Sequence, residues 1–166
     1  MSDECENLHN ERVFVDANAI IYHLHGMCPT AREIFRLGEL GEVKLVSTTR
    51  VIDEVIHKTL LLRAREKFGI HSKTIKKLRK DKNKVRRLSE DMRRIKRFVD
   101  TINLDLKEIT VRDLFGIPDI MQEYGVFGND ALILLTMIKY NLQYLLSSDA
   151  DFKEIKWLTL ILANPE

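Results

Sequence analysis

The sequence predicts an α/β protein, with a central parallel sheet of about five short strands and helices on both faces. Three observations carry this. Short apolar runs alternate with longer stretches of near-helical periodicity from end to end, the signature of repeated strand–helix units. The chain shows no internal repeat and no low-complexity linker, so the units belong to one sheet. At 166 residues and 45% hydrophobic content it can bury one core without disulfides.

Arg12-Val-Phe-Val-Asp16 reads as a buried strand, followed at once by helical NAIIYHLH. Pro29 opens a second helix, with Ala31, Ile34, Phe35, Leu37 and Leu40 on its apolar side and Gly41 to stop it. Val43–Val46 is a second strand. A long helix from Thr48 to Gly69 repeats Val51, Ile52, Val55, Ile56 and Leu60 near the 3.6-residue period. Ile75, Leu78, Val85, Leu88, Met92, Ile95 and Val99 then mark one or two amphipathic helices. Leu106–Val111 reads as a third strand and Asp113–Tyr124 as a helix. Gly125–Gly128 is a turn, and Asn129-Asp130 opens an apolar helix over Ala131–Tyr140. Tyr144–Ser147 and Lys156–Ile161 are the fourth and fifth strands. The polar start, residues 1–11, reads as a flexible tail, and 12–166 as a single domain with a basic helical insertion at about 63–100.

The net charge of +2 conceals a segregation. Between Arg63 and Arg97 stand 16 Lys/Arg against 4 Asp/Glu, while the remainder holds 11 basic and 21 acidic residues. Such a chain attracts phosphates at one place and gathers cations at another. Lys73, Lys76, Lys77, Arg79, Lys80, Lys82, Lys84, Arg86 and Arg87 are the candidate phosphate contacts. The plainer alternative is a solvated face with weak surface pairs. Phe68 and Phe98 alone interrupt the charges, so base stacking has little support. Cys5 and Cys28 form no C-x-x-C pair and read as reduced thiols in a cytoplasmic protein. The acidic start is unlike a signal peptide, and no apolar stretch reaches the ~20 residues of a membrane span.

In an open parallel sheet, ligands bind beyond the carboxyl ends of the strands, where strand order reverses. Asp16 closes the first strand and Asp149 follows the fourth. Glu54 lies on the long helix, and Asp130 in the first turn of the helix before the fourth strand. Singly, each has a structural explanation: Asp16, Asn18, Asn129 or Asp130 as helix caps, Glu54 as surface, Asp149 and Asp151 as turn formers. Brought together, four carboxylates would raise one another's pKa values unless a cation is bound. Mg²⁺ and Mn²⁺ take such oxygen ligands, and metal pairs of this kind cleave phosphodiesters. His23, His25 and His57 lack a zinc-like partner set and read as packing residues, and no phosphate-binding Gly-rich loop is present.

Four segments resemble the PIN-domain family. Val13-Phe-Val-Asp16-Ala-Asn18 looks like its opening strand and Asp-x-Asn/Ser. Thr48-Thr-Arg-Val-Ile-Asp-Glu54 is similar to its hydroxyl residue followed six positions later by a helical Glu. Tyr124-Gly-Val-Phe-Gly-Asn-Asp130-Ala-Leu resembles its turn and Asp-Ala helix start, and Leu145-Leu-Ser147-Ser-Asp149-Ala-Asp151-Phe152 its Thr-x-Asp-x-Asp-Phe. The resemblance implies a PIN-like three-layer fold and a metal-dependent ribonuclease, either a VapC-type toxin or an RNA-processing enzyme. Asp16, Glu54, Asp130 and Asp149 would be catalytic and, with Asp151, hold Mg²⁺ or Mn²⁺, supported by Asn18, Thr48 and Ser147. The implied partners are single-stranded RNA, a small antitoxin protein and a second copy of the chain. The basic segment departs from compact toxin members. The alternative is a non-catalytic PIN fold that binds RNA or protein. A haloacid-dehalogenase phosphatase would need a second acid where Asn18 stands. A receiver domain would need an Asp ending the third strand, where Val111-Arg112 stands.

Overall fold

In a computed structural model, residues 8–71 and 75–165 are described. β1 (Arg12–Val15) is buried at Val13, Phe14 and Val15, as a strand covered on both faces must be. It leads into α1 (Ala17–Leu24), α2 (Pro29–Glu39) and β2 (Lys44–Thr48). Then come α3 (Thr49–Phe68), α4 (Ile75–Lys80), α5 (Lys82–Thr101) and β3 (Asp105–Lys107). Next are α6 (Val111–Tyr124), α7 (Asn129–Lys139) and β4 (Tyr144–Ser147). A 3₁₀ turn (Ala150–Glu154) connects to β5 (Thr159–Leu162). No described helix is long and apolar enough to cross a membrane.

All strand pairings are parallel, in the order β3-β2-β1-β4-β5. The chain winds outward from β1 through β2 to β3, then crosses back to lay β4 on the other side. Right-handed crossovers put α1–α5 on one face and α6 and α7 on the other. The packing agrees: α1 meets α2 and α3, α3 meets α5, and α6 meets α7. Gly38 shows how close the layers come, because a Cβ there would lie 2.3 Å from Leu45 Cδ1 on β2. A glycine inside a helix is tolerated for this approach.

Five boundaries differ from the sequence reading, the first being the second strand, which runs Lys44–Thr48 rather than Val43–Val46. The third strand stops at Lys107 and does not reach Val111. Thr110 and Asp113 form a reciprocal capping box, which draws Val111 into the first turn of α6. The fifth strand starts at Thr159 rather than Lys156, since the turn bond from Leu158 N–H to the Ile155 carbonyl keeps the chain curled. The last helix begins at Asn129 and Tyr140 is its C-cap. The flexible start does not extend to residue 11: Leu8 is 1% exposed in the core, and the Asn10 N–H donates to the Glu42 carbonyl. Cys5 and Lys73 lie outside the described residues. Cys28 is a buried free thiol whose Sγ caps α2, accepting from the Ala31 N–H at 3.3 Å.

The basic stretch folds back along α3. Ala64, Leu78 and Leu88 form a small second core with Leu60, Phe68, Ile70 and Ile75 around it. Lys84 and Arg87 lie over the Phe68 ring, and Asp91 meets Lys67 and Arg63, so α5 runs antiparallel to the distal half of α3. Further along, Phe98 stacks on His23 at 4.9 Å and meets Phe35 edge-on at 5.2 Å, tying α5 to α1 and α2. Burial holds the His23 imidazole below its usual pKa, as befits a packing residue. Asp91 is 3% exposed and lies 2.6 Å from Lys67 Nζ. Its removal should leave Lys67 without a carboxylate partner, while Arg63 keeps Glu66 at 2.6 Å. Breaking a buried pair costs about 3–5 kcal/mol, and Lys67 and Arg63 are open enough to water to recover part of that. Asp91→Ala is expected to lower unfolding free energy by about 2 kcal/mol, measured by urea titration. An unchanged midpoint would mean that the hairpin does not depend on this pair.

Candidate active site

The β1–β4 register pairs Val15 with Leu146, and so carries Asp16 alongside Ser147 at the carboxyl edge of the sheet. This is where strand order reverses, between β1 and β4. The Ser147 hydroxyl donates to Asp16 Oδ2 at 2.8 Å and accepts from the Asp149 N–H at 3.1 Å. The Ala17 N–H donates to Asp16 Oδ1 at 2.6 Å, so Asp16 caps α1 as well as facing the crevice. On the other flank the buried Ser47 hydroxyl donates to the Val15 carbonyl at 2.7 Å, locking β2 to the end of β1. Asp149 Oδ1 accepts from the Asp151 N–H at 2.9 Å, which starts the 3₁₀ turn.

The helices bring the remaining acids. Thr48 Oγ1 accepts from the Val51 N–H at 3.1 Å, so this hydroxyl starts the helix that carries Glu54. Glu54 is not plain surface. Its Oε1 lies 2.6 Å from Lys58 Nζ, and its Oε2 accepts from Asn129 Nδ2 at 2.9 Å. Lys58 also donates to Asn18 Oδ1 at 3.0 Å. Neither Asn129 nor Asp130 caps α7. The N-cap is Gly128, at φ 54° and ψ −107°, with no side-chain capping bond. An L side chain rarely adopts that backbone, and the glycine turn leaves both neighbouring side chains for the crevice.

Electrostatics show that the carboxylates share one field. Asp130 is pushed up to about 6, first by burial and then by the charges of Asp149, Asp16, Glu54 and Asp151. Asp16, 7% exposed, is also raised, chiefly by burial, with Ser147, Ala17 and Lys58 opposing and Glu54 reinforcing. Among the described residues no three His, Cys, Asp or Glu side chains are grouped closely enough to hold a metal ion as they stand. Carboxylate, amide and hydroxyl oxygens suit a hard divalent cation such as Mg²⁺ or Mn²⁺ better than zinc.

Asp16, Glu54, Asp149 and Asp151 are thus near enough to Asp130 to act on its charge. Ser147 bonds Asp16, Asn18 reaches Lys58 beside Glu54, and Thr48 caps the helix that carries Glu54. Asn129 and Lys58 were not singled out by sequence reasoning. For Lys58 the available signal was its i,i+4 spacing from Glu54; Asn129 looked like a cap. The described basic candidates, Lys76, Lys77, Arg79, Lys80, Lys82, Lys84, Arg86 and Arg87, lie on α4 and the start of α5. They pack along α3 from its middle to its end. Ile75, Leu78 and Arg79 line a cavity with His57, Leu60 and Leu61, beginning about one helical turn past Glu54, while Lys84 and Arg87 lie over Phe68.

The shift at Asp130 has a consequence for metal-free protein. Its carboxyl binds a proton near pH 6 when folded and near 3.8 when unfolded. The native state thus holds more protons between these values, and the stability so contributed is lost as pH rises through that window. In EDTA, Asp130→Asn should melt above wild type at pH 7.5, and the gain should shrink as pH falls toward 4. Equal melting temperatures at pH 7.5 would contradict the crowding.

The PIN domain family model matches residues 13–158. No curated protein matches the sequence. Among solved structures, VapBC2 from Rickettsia felis, bound to a DNA fragment from its promoter, is similar at 15% identity and a TM-score of 0.60, covering 92% of this chain and 99% of that one. A toxin–antitoxin complex from Klebsiella pneumoniae is similar at 17% identity and a TM-score of 0.54, covering 89% and 95%. The five-stranded parallel sheet and the match over most of its length make this chain a member of the PIN domain family.

Proposed function

We propose that the protein is a divalent-metal-dependent endoribonuclease that hydrolyses phosphodiester bonds in single-stranded RNA. One observation carries the reading: Asp16, Glu54, Asp149 and Asp151 all bear on Asp130 at the crevice where strand order reverses. Uncompensated negative charge of that density calls for a cation. Asp16, Glu54, Asp130 and Asp149 are the catalytic residues, and with Asp151 they would hold Mg²⁺ or Mn²⁺. The ion would supply Lewis-acid stabilisation of the phosphoryl group and a nucleophilic water at neutral pH. Ser147 orients Asp16, Asn129 orients Glu54, and Asn18 shares Lys58 with Glu54. Thr48 supports the site by starting α3.

The similar structures are toxin–antitoxin complexes, which supports a VapC-type toxin with a small antitoxin as partner. Action in the cytoplasm and pairing with a second copy of the chain are part of the same proposal. The α3–α5 hairpin and its charge favour the second form of the same reading, an RNA-processing enzyme that holds a longer substrate. If the fold only binds RNA or protein, RNA will be retained intact.

Asp16→Asn removes one anionic ligand and keeps the side-chain shape and one acceptor oxygen, its amide NH₂ replacing the oxygen that accepts from Ser147. Cleavage in Mg²⁺ or Mn²⁺ should fall by about 10²-fold or more with an unchanged circular dichroism spectrum. Undiminished cleavage, or equal cleavage in EDTA, would sink the reading. The basic segment is assigned to the RNA backbone. Replacing Lys76, Lys77, Arg79 and Lys80 with Gln should weaken binding and reduce the salt slope by roughly 0.7 per lost contact. Turnover at saturating RNA should hold, since phosphate contacts position the strand. Wild-type affinity and slope in this variant would place the RNA path elsewhere.

A further inference from the structure

Lys58 stands inside the acidic crevice, and its surroundings divide the site into a compensated and an uncompensated half. It follows Glu54 by four residues on α3, which would ordinarily make it half of a surface pair worth little. Two features set it apart. The Glu54 side chain is only 21% exposed, and the ammonium also reaches Asn18 on a different helix. Both Glu54 oxygens are thereby occupied, Oε1 by Lys58 and Oε2 by Asn129. Among the described residues Asp16, Asp130 and Asp149 form no ion pair, and Asp16 and Asp149 are held through Ser147 and backbone N–H groups. An ion pair is made on the Glu54 side and none on the Asp130 side.

We propose that Lys58 occupies the seat of a second cation, so that the site takes a single divalent ion, on the side of Asp16, Asp130 and Asp149. The inference rests on the metal-nuclease reading above. A second divalent ion on Glu54 must either expel the ammonium or settle within a few ångströms of it, and both are opposed by charge. Glu54 thereby leaves the ligand set given above and serves to hold Lys58 and Asn129 in place. Lys58, with three donors on a flexible stem, keeps one free to meet a phosphate oxygen beside the ion. It is a positioning and charge-balancing residue. Its charge is fixed in the chain, so it is present before any metal arrives.

Mn²⁺ titration of the full chain without RNA, by calorimetry with electron paramagnetic resonance of the bound ion, tests this. Wild type should bind one Mn²⁺ per chain, and Lys58→Arg, which keeps the charge, should do the same. Lys58→Met should bind two, with the spectrum of a spin-coupled pair. The Lys58 side chain is 41% exposed, so loss of its charge is compatible with folding, and thermal melts of all three proteins verify this. Two ions on wild type, or one on Lys58→Met, would overturn the assignment while leaving the nuclease reading in place. No bound Mn²⁺ on any of the three would overturn both.

Discussion

The pairing of β1 with β4 is the constraint on which the rest of the structure depends. Those two strands adjoin only because the chain, having laid β2 and β3 on one side of β1, returns to the other. Their register places Asp16 beside Ser147, and the serine hydroxyl joins the carboxylate to the backbone that leads into Asp149. A shift of one residue along β4 would turn Ser147 to the opposite face and break both bonds. The crevice is thus held by the most buried part of the sheet, where Val15, Leu145, Leu146 and Ser147 are shielded from water.

That rigidity lets like charges stay together. Burial and four neighbouring acids raise Asp130, and the fold holds this unfavourable arrangement because the groups sit on different elements, each secured by its own core contacts. Local rules yield where the site needs side chains. The first turn of α7 offers Asn and Asp, both good caps, yet the cap is Gly128 and Asn129 reaches across to Glu54. The N-terminus of α7 then faces the crevice with its acids uncommitted to capping.

The opposite charge is concentrated on the α3–α5 hairpin, where a small apolar cluster and the buried Asp91 seat a strongly basic surface. A basic surface on one set of helices and acids at the sheet edge give the molecule a charge distribution that its net charge of +2 conceals. Membership of the PIN domain family accounts for the sheet and the crevice; the charge on this hairpin is a property of the present chain.

Periodicity and turn chemistry were enough to recover the strand–helix order and the parallel sheet, because one-sided and two-sided burial leave different patterns in the chain. Asp16 and Asp149 could be placed at strand ends and Asp130 at a helix start from sequence, and Glu54 by its spacing from Thr48 within the long helix. Strand ends were less legible: the capping box at Thr110 and the turn at Ile155 override the propensity of Val111 and Trp157. Lys58 and Asn129 were hidden because their roles depend on residues 40 and 75 positions away. The sequence by itself determined which residues are acidic, which are basic and in what order the elements come. Only the tertiary structure decided that Lys58 joins Glu54 to Asn18 and that the basic helices fold back along α3. Charge interactions depend on distance through space, and the direction in which α3 runs sets that distance.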